Sequence, residues 1–416
     1  MIQQIINLSD TILSKINLES KAQKKFLVCL FSTWLLIQGR HNIRNTNRYL
    51  DYSESTISHW MGISIDFSSF HQNTIEEVIS DRSSDWILCG DCSFIPKSGK
   101  RTYGGGLFWN GCASKQQKGL EISGFALVNV VTKEAYMVDV CQTPGELKDA
   151  EGEAKDYTRI DFYLEHLEQV SKRYSWIKYV ALDGYYAKKK VFKYFDTKDN
   201  LFLISKLRKD SDLLFLLDRN QSHDVHGNKK YSDKFKHKDP MSQKDKWFYK
   251  GQLKNEPNIS LYQANMYSPN LKRILNVVLC WNEKLKKHIL LFSTDLELEA
   301  QELVLYYKRG FQIEFLFRDA KQFSGLTHAQ VRDKKKLDFH FNCSFAVVNM
   351  GRIIAKKSKK PDDDKSFTDF SFNNAKRLGY NDLLLNKFIS NLGLNPKLPE
   401  IQNALKKTIE FGVMRA

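Results

Sequence analysis

Two short apolar stretches decide how this chain folds: WILC at residues 86–89 and YVAL at residues 179–182. Compact runs of this kind are typical of strands that are buried on both faces of a sheet. We expect the first strand to end at Asp91 and the second at Asp183. Residues 157–174, which lie between them, have apolar side chains at helical spacing. Buried strands that alternate with helices predict an α/β fold with a mixed sheet.

Length and composition define the class of protein. The 416 residues are enough for two or three domains, and 42% hydrophobic residues indicate a globular chain. No apolar run is long enough to cross a bilayer, and no secretion signal is visible at the start, so we expect no membrane association. An odd number of scattered cysteines, seven in all, favours reduced thiols and a cytoplasmic location.

One cysteine pair has the spacing of a redox or zinc motif. Cys89 and Cys92 are separated by two residues, but neither a second pair nor nearby histidines follow. Both residues also lie in or beside an apolar strand. Packing, which is the usual role of a buried free cysteine, is therefore the favoured interpretation.

The N-terminal residues 1–82 read as a separate helical domain. Within them, residues 45–61 have the outline of a helix-turn-helix, in which Ser53 caps a second helix that runs through Trp60. A plain helical hairpin in a small bundle explains the same pattern equally well. The first 85 residues carry 8 basic and 9 acidic side chains, which is a weak charge balance for a DNA-binding domain.

The net charge of +16 indicates an acidic partner such as nucleic acid. The basic excess is concentrated in residues 184–300 and 326–416. A solubility surface would give the same excess, although the aromatic residues among the lysines of 246–250 favour a nucleic-acid surface.

The second half of the chain divides into three further segments. Residues 197–292 contain several strand candidates and read as a β-rich insertion, with a polar loop at 229–246. A long helix over 296–324 is predicted, because residues 294–297 form a capping-box pattern and Gly325 is placed to end it. An apolar helix at 339–354 and a Lys/Asp-rich linker at 356–365 begin the tail. We therefore expect an α/β core at 83–196 and 293–355, with a helical region over 356–416.

Three carboxylates stand out by position. Asp91 and Asp183 each follow a buried strand, and Glu314 lies in the middle of the predicted long helix. Carboxylate oxygens are the preferred ligands of Mg²⁺ and Mn²⁺. Two such ions can activate a nucleophile and neutralise the leaving oxygen in an in-line phosphoryl transfer. The alternative is that both aspartates merely end strands and Glu314 is a surface group.

The helix around Glu314 adds to this hypothesis. Tyr307, Glu314 and Lys321 are seven residues apart and share one helical face, and Arg318 lies close to the same line. A phenol and two cations beside a metal ligand suit a phosphate backbone. An ordinary polar helix side with a Glu314–Arg318 pair is the simpler alternative.

The segment YKRGFQIEFLFRDAKQFSGL at residues 307–326 resembles the Tyr-Arg-Glu-Lys signature of the insertion sequence 4 family of DDE transposases. Tyr307, Glu314 and Lys321 match the signature. Asp91 and Asp183 with the residues that follow them look like the two aspartate motifs of the family. The gap from Asp183 to Glu314 is similar to the β-rich insertion of these enzymes, and the resemblance spans about residues 85–350.

One position departs from the signature, because Gly310 stands where the arginine belongs. Arg309, Lys308 or Arg318 could serve instead, or the activity could be impaired. On an ideal helix Arg309 points about 140° away from Glu314.

The resemblance implies an RNase H-like catalytic core over 83–196 and 293–355, in which Asp91, Asp183 and Glu314 hold two Mg²⁺ ions, with Mn²⁺ as the alternative. It also implies that the N-terminal domain, residues 1–82, binds the DNA ends. It implies a bacterial, nucleoid-associated enzyme that cuts transposon ends and joins them to target DNA, acting as a homodimer on double-stranded DNA. The residues expected to contact DNA are Tyr307, Arg309, Arg318, Lys321, Lys206 and Arg208. Two alternatives remain open: a related nuclease that cuts without joining, and a non-catalytic DNA-binding regulator.

Overall fold

A computed structural model describes residues 2–79, 82, 85–147, 157–217, 230–358 and 371–414. The helices are α1 (Ile2–Leu13), α2 (Lys21–Leu36), α3 (Ile43–Asn47), α4 (Glu54–Trp60), α5 (Phe67–Glu76), α6 (Arg159–Arg173), α7 (Lys189–Phe195), α8 (Ala300–Arg309), α9 (Gln312–Phe323), α10 (Lys334–Ser358), α11 (Phe372–Asn391) and α12 (Pro399–Thr408). The strands are β1 (Trp86–Pro96), β2 (Gly106–Asn110), β3 (Lys115–Asn129), β4 (Ala135–Thr143), β5 (Tyr179–Leu182), β6 (Phe202–Lys206), β7 (Leu214–Leu216), β8 (Tyr231–Lys234), β9 (Phe248–Leu253), β10 (Glu256–Ser268), β11 (Arg273–Asn282) and β12 (Lys287–Ser293). Short 3₁₀ helices cover Gly184–Tyr186 and Pro240–Lys246.

The N-terminal part is helical, as predicted, from α1 to α5. Ser53 caps α4 by accepting the Thr56 backbone N–H at 3.1 Å, and α4 ends at Trp60, which confirms the second helix of the predicted pair. The helices pack on α10 and on β4, and their apolar side chains join the same buried core as the sheet. This part of the chain is therefore built against the rest of the protein.

The twelve strands form one mixed sheet, which confirms the α/β prediction. Its order is β2-β3-β1-β5-β6-β12-β11-β10-β7-β8, with β4 paired to β3 and β9 paired to β10. Only β1–β5 and β5–β6 pair in parallel among the described strands, and the other pairs are antiparallel. The parallel strands lie in the centre, where α6 and α7 provide the crossovers that parallel pairing requires.

The predicted end of the first strand at Asp91 is wrong. β1 continues to Pro96, because β3 pairs with it along its whole length, from Trp86 opposite Asn129 to Pro96 opposite Gly119. Only the parallel partner β5 ends near this point, at Leu182 opposite Gly90. Asp91 therefore lies within a strand, beside the place where its neighbour ends.

The strands predicted for residues 197–292 are confirmed, and they extend the central sheet. β12 pairs antiparallel with β6, and β11, β10 and β7 follow it outward. The loop predicted at 229–246 is wrong in part, since β8 and the 3₁₀ helix at Pro240–Lys246 form there. Residues 218–229 lie outside the described part of the chain.

The single long helix predicted over 296–324 is two helices. α8 ends at Arg309 and α9 begins at Gln312, with the break at Gly310. Thr294 is not the cap of α8, because its hydroxyl accepts the backbone N–H of Leu203 at 2.9 Å. Gly325 ends α9 as predicted, with a φ of +74°.

The C-terminal part is helical, as expected. α10 covers 334–358 and is longer than the predicted 339–354, and α11 and α12 follow. Most of the predicted linker at 356–365 lies outside the described residues. Within the part that is described, no helix is both long and apolar enough to span a membrane.

Candidate active site

Strand register places the two predicted aspartates side by side. Leu88 pairs with Val180 and Gly90 with Leu182, so Asp91 and Asp183 occupy the next aligned positions. Asp91 accepts the backbone N–H of Cys92 at 2.7 Å, and Asp183 accepts that of Tyr185 at 2.9 Å. Aligned residues of neighbouring strands share a face of the sheet, so both carboxylates belong to the same face.

The third predicted carboxylate, Glu314, comes from the helix that covers this face. It lies in the first turn of α9, which packs on β1, β3 and β4. Gly124 is the β3 partner of Asp91, and a Cβ there would lie 3.0 Å from the Phe317 ring. Because Gly124 has no side chain, the helix approaches the strand closely beside Asp91. Glu314 is one turn before Phe317, on the same side of α9.

Electrostatic interactions link the three carboxylates. Burial raises the pKa of Asp91 to about 7, with smaller contributions from Asp183 and Glu314. The pKa of Glu314 is raised by burial and by Asp183. The Asp183 side chain is accessible to solvent. Desolvation by the surrounding protein nevertheless raises its pKa as well. None of the three forms a direct ion pair within the described residues, and the nearby ammonium groups of Lys188 and Lys321 act on Asp183 and Asp91 only from a distance.

Such a set of donors suits a divalent cation in its chemistry. Oxygen ligands with uncompensated negative charge are what Mg²⁺ and Mn²⁺ prefer. Among the residues that the structure describes, however, no three His, Cys, Asp or Glu side chains are grouped closely enough to hold an ion. The carboxylates share one site, but they do not close into a metal-binding cluster in this conformation.

Two residues of the predicted phosphate-binding face lie at the site. Tyr307 is half-buried, and its pKa is raised by burial and by the charges of Asp183 and Glu314. Burial lowers the pKa of Lys321, which also interacts electrostatically with Asp91. A phenol and an ammonium group therefore border the carboxylates on the α8–α9 side, although α8 and α9 are separate helices.

Lys206 borders the site from the other side. β5 and β6 pair in parallel, with Ala181 opposite Ile204, so Lys206 lies in register with Asp183. The hydroxyl of Ser205 donates to the Asp183 carbonyl at 2.7 Å and fixes this alignment. Arg208 lies two residues further on in an exposed segment, where its Nε is 3.3 Å from Asp210.

The structure does not bring Arg309 to the carboxylates. Its Nε donates to the Val130 carbonyl at 2.6 Å, next to the end of β1 that is remote from Asp91. Gly310 packs against β5, where an added Cβ would lie 3.7 Å from Ala181 and 3.0 Å from the Tyr307 carbonyl. The tight contact explains a glycine at this position and leaves little room for a side chain.

Arg318 is placed on the outer side of α9. It is 54% exposed, stacks on Phe315 at 4.7 Å and pairs with Asp319 at 3.1 Å. Because Asp319 also pairs with the buried Arg352 at 2.7 Å, the position of Arg318 is held by a network within the core.

Several residues near the site were missed by sequence reasoning. The Lys188 ammonium interacts electrostatically with Asp183 and lies 3.6 Å from the Tyr185 ring centroid. Its position five residues after Asp183 was the signal available. Glu121 is buried on β3 and contributes to the raised pKa of Asp91. Nothing in the sequence distinguished it from the other acidic residues.

The cysteine pair beside Asp91 is consistent with packing. All seven cysteines are free, Cys89 is fully buried, and the Cys92 sulfur lies 3.7 Å from the Tyr186 hydroxyl. This contact joins β1 to the segment that follows Asp183.

A comparison with protein families identifies the fold. The family model described as "Transposase DDE domain" matches residues 83–350. The chain belongs to this family. No match was found among curated proteins. Membership implies a transposase that acts on DNA, and such transposases generally use divalent metal ions.

Proposed function

We propose that this transposase is the mobilising enzyme of a bacterial insertion sequence of the insertion sequence 4 type. It would cut the ends of the element and join them to target DNA, in the cytoplasm at the nucleoid. The observation that carries the proposal is the alignment of Asp91 with Asp183 on the sheet face covered by Glu314. Three neighbouring carboxylates that form no direct ion pair within the described residues, on a domain of this family, favour phosphoryl transfer over a structural role.

The topology supports an RNase H-like core. Strands β1, β3 and β4 are neighbours in the sheet and pair antiparallel, and β5 and β6 then add in parallel on the other side of β1. The resulting order β4-β3-β1-β5-β6 places the first aspartate on the central strand. The outer strands β7–β12 interrupt the core between Lys206 and α8, as expected of a β-rich insertion.

The roles proposed for the site residues follow from their charge. Asp91, Asp183 and Glu314 would hold two Mg²⁺ ions, or Mn²⁺, which would supply an activated nucleophile and neutralise the leaving oxygen. Tyr307 and Lys321 would position the phosphate next to the cut.

Further basic residues would hold the DNA on either side of the site. Lys206 lies next to Asp183 and suits this role, and so do the more exposed Arg208 and Arg318. Arg309 would need a rearrangement to contribute, because it is bound to the Val130 carbonyl. The helices α3 and α4 would recognise the element ends, and two copies would hold two ends together.

The proposal is tested with purified protein, Mg²⁺ and labelled duplex DNA that carries the ends of the encoding element. The wild type should give both cut ends and strand-transfer products. D183N should give neither, whereas D199N, which changes an exposed aspartate, should match the wild type. Cutting without joined products would assign a nuclease. Specific binding without any cutting would assign a regulator and overturn the proposed enzyme.

A further inference from the structure

The β2–β3 hairpin carries an unusual exposed surface. Leu107 and Trp109 on β2 are 59% and 58% exposed, although both are large and apolar. They pair with Lys118 and Gln116 on β3, and directly opposite residues lie on the same face. These four residues, Leu107, Trp109, Gln116 and Lys118, form what we call the hairpin face.

The hairpin face continues the sheet face of the active site. Alternate residues of a strand share a face, and β3 pairs without interruption from Gln116 to Gly124, the partner of Asp91. Eight residues of strand separate these positions, about 26 Å at the usual rise per residue. The turn of the hairpin is also near the site, because Lys321 interacts electrostatically with both Asp91 and Cys112.

Helix α6 holds the hairpin in place on the side opposite the hairpin face. Arg159 of α6 donates to the Leu107 carbonyl at 2.7 Å, and its guanidinium carbon lies 4.4 Å from the centroid of the buried Phe108 ring. Asn110 closes the turn by donating to Gln117 at 2.6 Å. The exposed Trp109 therefore sits on an ordered support.

The charge around the hairpin face is positive. Lys118 of the hairpin face lines a cleft of about 670 Å³ together with Lys97 and with Lys115, which alternates to the other face of β3. Lys97 is bound to the Ala329 carbonyl, but Lys115 and Lys118 have no acidic partner within the described residues. Uncompensated lysines beside an exposed aromatic ring suit a nucleic-acid strand, in which phosphates meet the cations and a base stacks on the ring.

We propose that the hairpin face binds unpaired nucleotides of the DNA strand that extends from the active site, with one base stacked on Trp109 and a phosphate at Lys118. This inference rests on the proposed function for the identity of the strand. A paired base cannot offer its face to an exposed ring, so the surface should prefer single-stranded over duplex DNA.

The experiment measures binding of a fluorescein-labelled oligo(dT) strand by anisotropy, in EDTA, so that cutting is not involved. W109A should weaken binding about 5- to 150-fold, the range of one lost base–aromatic stack. W109F should retain most of the affinity. F388A, which removes an equally exposed aromatic ring on α11, should bind like the wild type.

Lys118 provides an independent measurement. K118A should make the slope of log affinity against log salt less negative by about 0.7, the value for one phosphate contact on a single strand. Because Lys118 is exposed, K118A should fold normally. It therefore keeps the proposal testable if W109A does not fold.

Three outcomes would overturn the inference. Unchanged oligo(dT) binding by W109A would exclude Trp109, and an equal loss on blunt duplex DNA would exclude stacking. A change in oligomeric state with unchanged DNA affinity would make the hairpin face an interface between copies. Each of these results can occur whether or not the protein cuts DNA, so it leaves the test of the proposed function intact.

Discussion

Two acidic residues on opposite faces of the same sheet have opposite electrostatic environments. Asp91 and Asp139 are paired with consecutive residues of β3, Gly124 and Phe125. Burial raises the pKa of Asp91 to about 7. Burial would raise the pKa of Asp139 too, but His166 and Arg173 outweigh it and hold that pKa well below its usual range.

The partners of Asp139 explain the difference. His166 lies 3.0 Å from one carboxylate oxygen of Asp139. The other oxygen accepts a hydrogen bond from Ser68 of α5 at 2.7 Å and forms an ion pair with Arg173. His166 also contacts Ser123 at 2.9 Å, so the cluster has the composition of a Ser-His-Asp triad. His166 and Ser123 are almost completely buried, so a substrate cannot reach them. Burial with ion-pair and hydrogen-bond partners stabilises a fold, whereas burial without a direct ion pair marks the candidate active site.

The largest expected effect is on DNA cleavage, which should depend on Asp91 much more than on Asp139. D91N should reduce DNA cleavage in Mg²⁺ by more than the roughly 100-fold typical of residues that only support metal ligands. Its unfolding midpoint at neutral pH should not fall, because a repulsive charge has been removed. Measuring cleavage rates and urea unfolding on the same preparation checks both parts. Full cleavage by D91N would remove the distinction between the two aspartates.

The complementary substitution, at Asp139, should affect the stability of the protein much more than its cleavage activity. D139N should lower the free energy of unfolding by about 3 kcal/mol, since it leaves a partly buried Arg173 without its counter-charge. Urea unfolding measures the loss, and D196N, which alters an exposed aspartate paired with Arg273, is the matched control. At a temperature where D139N stays folded, its cleavage rate should be within a few-fold of the wild type. A loss below about 1 kcal/mol would show that Asp139 does not anchor the cluster.

The sequence was sufficient to single out Asp91, the member of this pair that lies in the candidate active site. Short apolar runs bounded by polar residues are typical of buried strands, which singled out Asp91 and Asp183 as residues at strand ends. Their grouping with Glu314 and Tyr307 came from the shared helix face and from the resemblance to a known family. The true end of β1 could not be predicted, because the pairing with β3 that extends it is a long-range contact.

Other features depended on tertiary contacts that leave no local pattern. Asp139 becomes special only because α5, β3 and α6 bring Ser68, Ser123 and His166 to it. The break at Gly310 was hidden, since the apolar spacing of α8 and α9 is nearly continuous across it. At the break the backbone hydrogen bonds tighten to three-residue spacing, from Phe311 to the Lys308 carbonyl and from Ile313 to the Gly310 carbonyl.

A smaller effect concerns pH in the absence of metal. A carboxyl group whose pKa is raised by folding stabilises the protein while protonated, and this contribution is lost as pH rises through the folded value. For Asp91, with a pKa of about 7, the free energy of unfolding should fall by about 1.4 kcal/mol between pH 6 and 8. Asp183 and Glu314, whose pKa values are also raised, act in the same direction.

Urea unfolding in EDTA at both pH values, for the wild type and D91N, isolates this contribution. Asp338, whose pKa is raised to about 6, is present in both proteins and cancels in the difference. Mg²⁺ should reverse the trend in the wild type, because metal binding requires ionised carboxylates. An identical pH dependence in the two proteins would contradict the raised pKa of Asp91.

The smallest expected effect tests how fully Asp139 is satisfied. S68A removes the neutral donor from its carboxylate while His166 and Arg173 remain, so the cost should be about 1 kcal/mol, the usual value of one hydrogen bond. S69A, on the same helix, removes an exposed hydroxyl that donates to Asp66 and should cost less than about 0.5 kcal/mol. Urea unfolding of both variants gives the difference. If the two are equal, the charged partners alone hold Asp139, and the contrast with Asp91 reduces to the presence or absence of a direct ion pair.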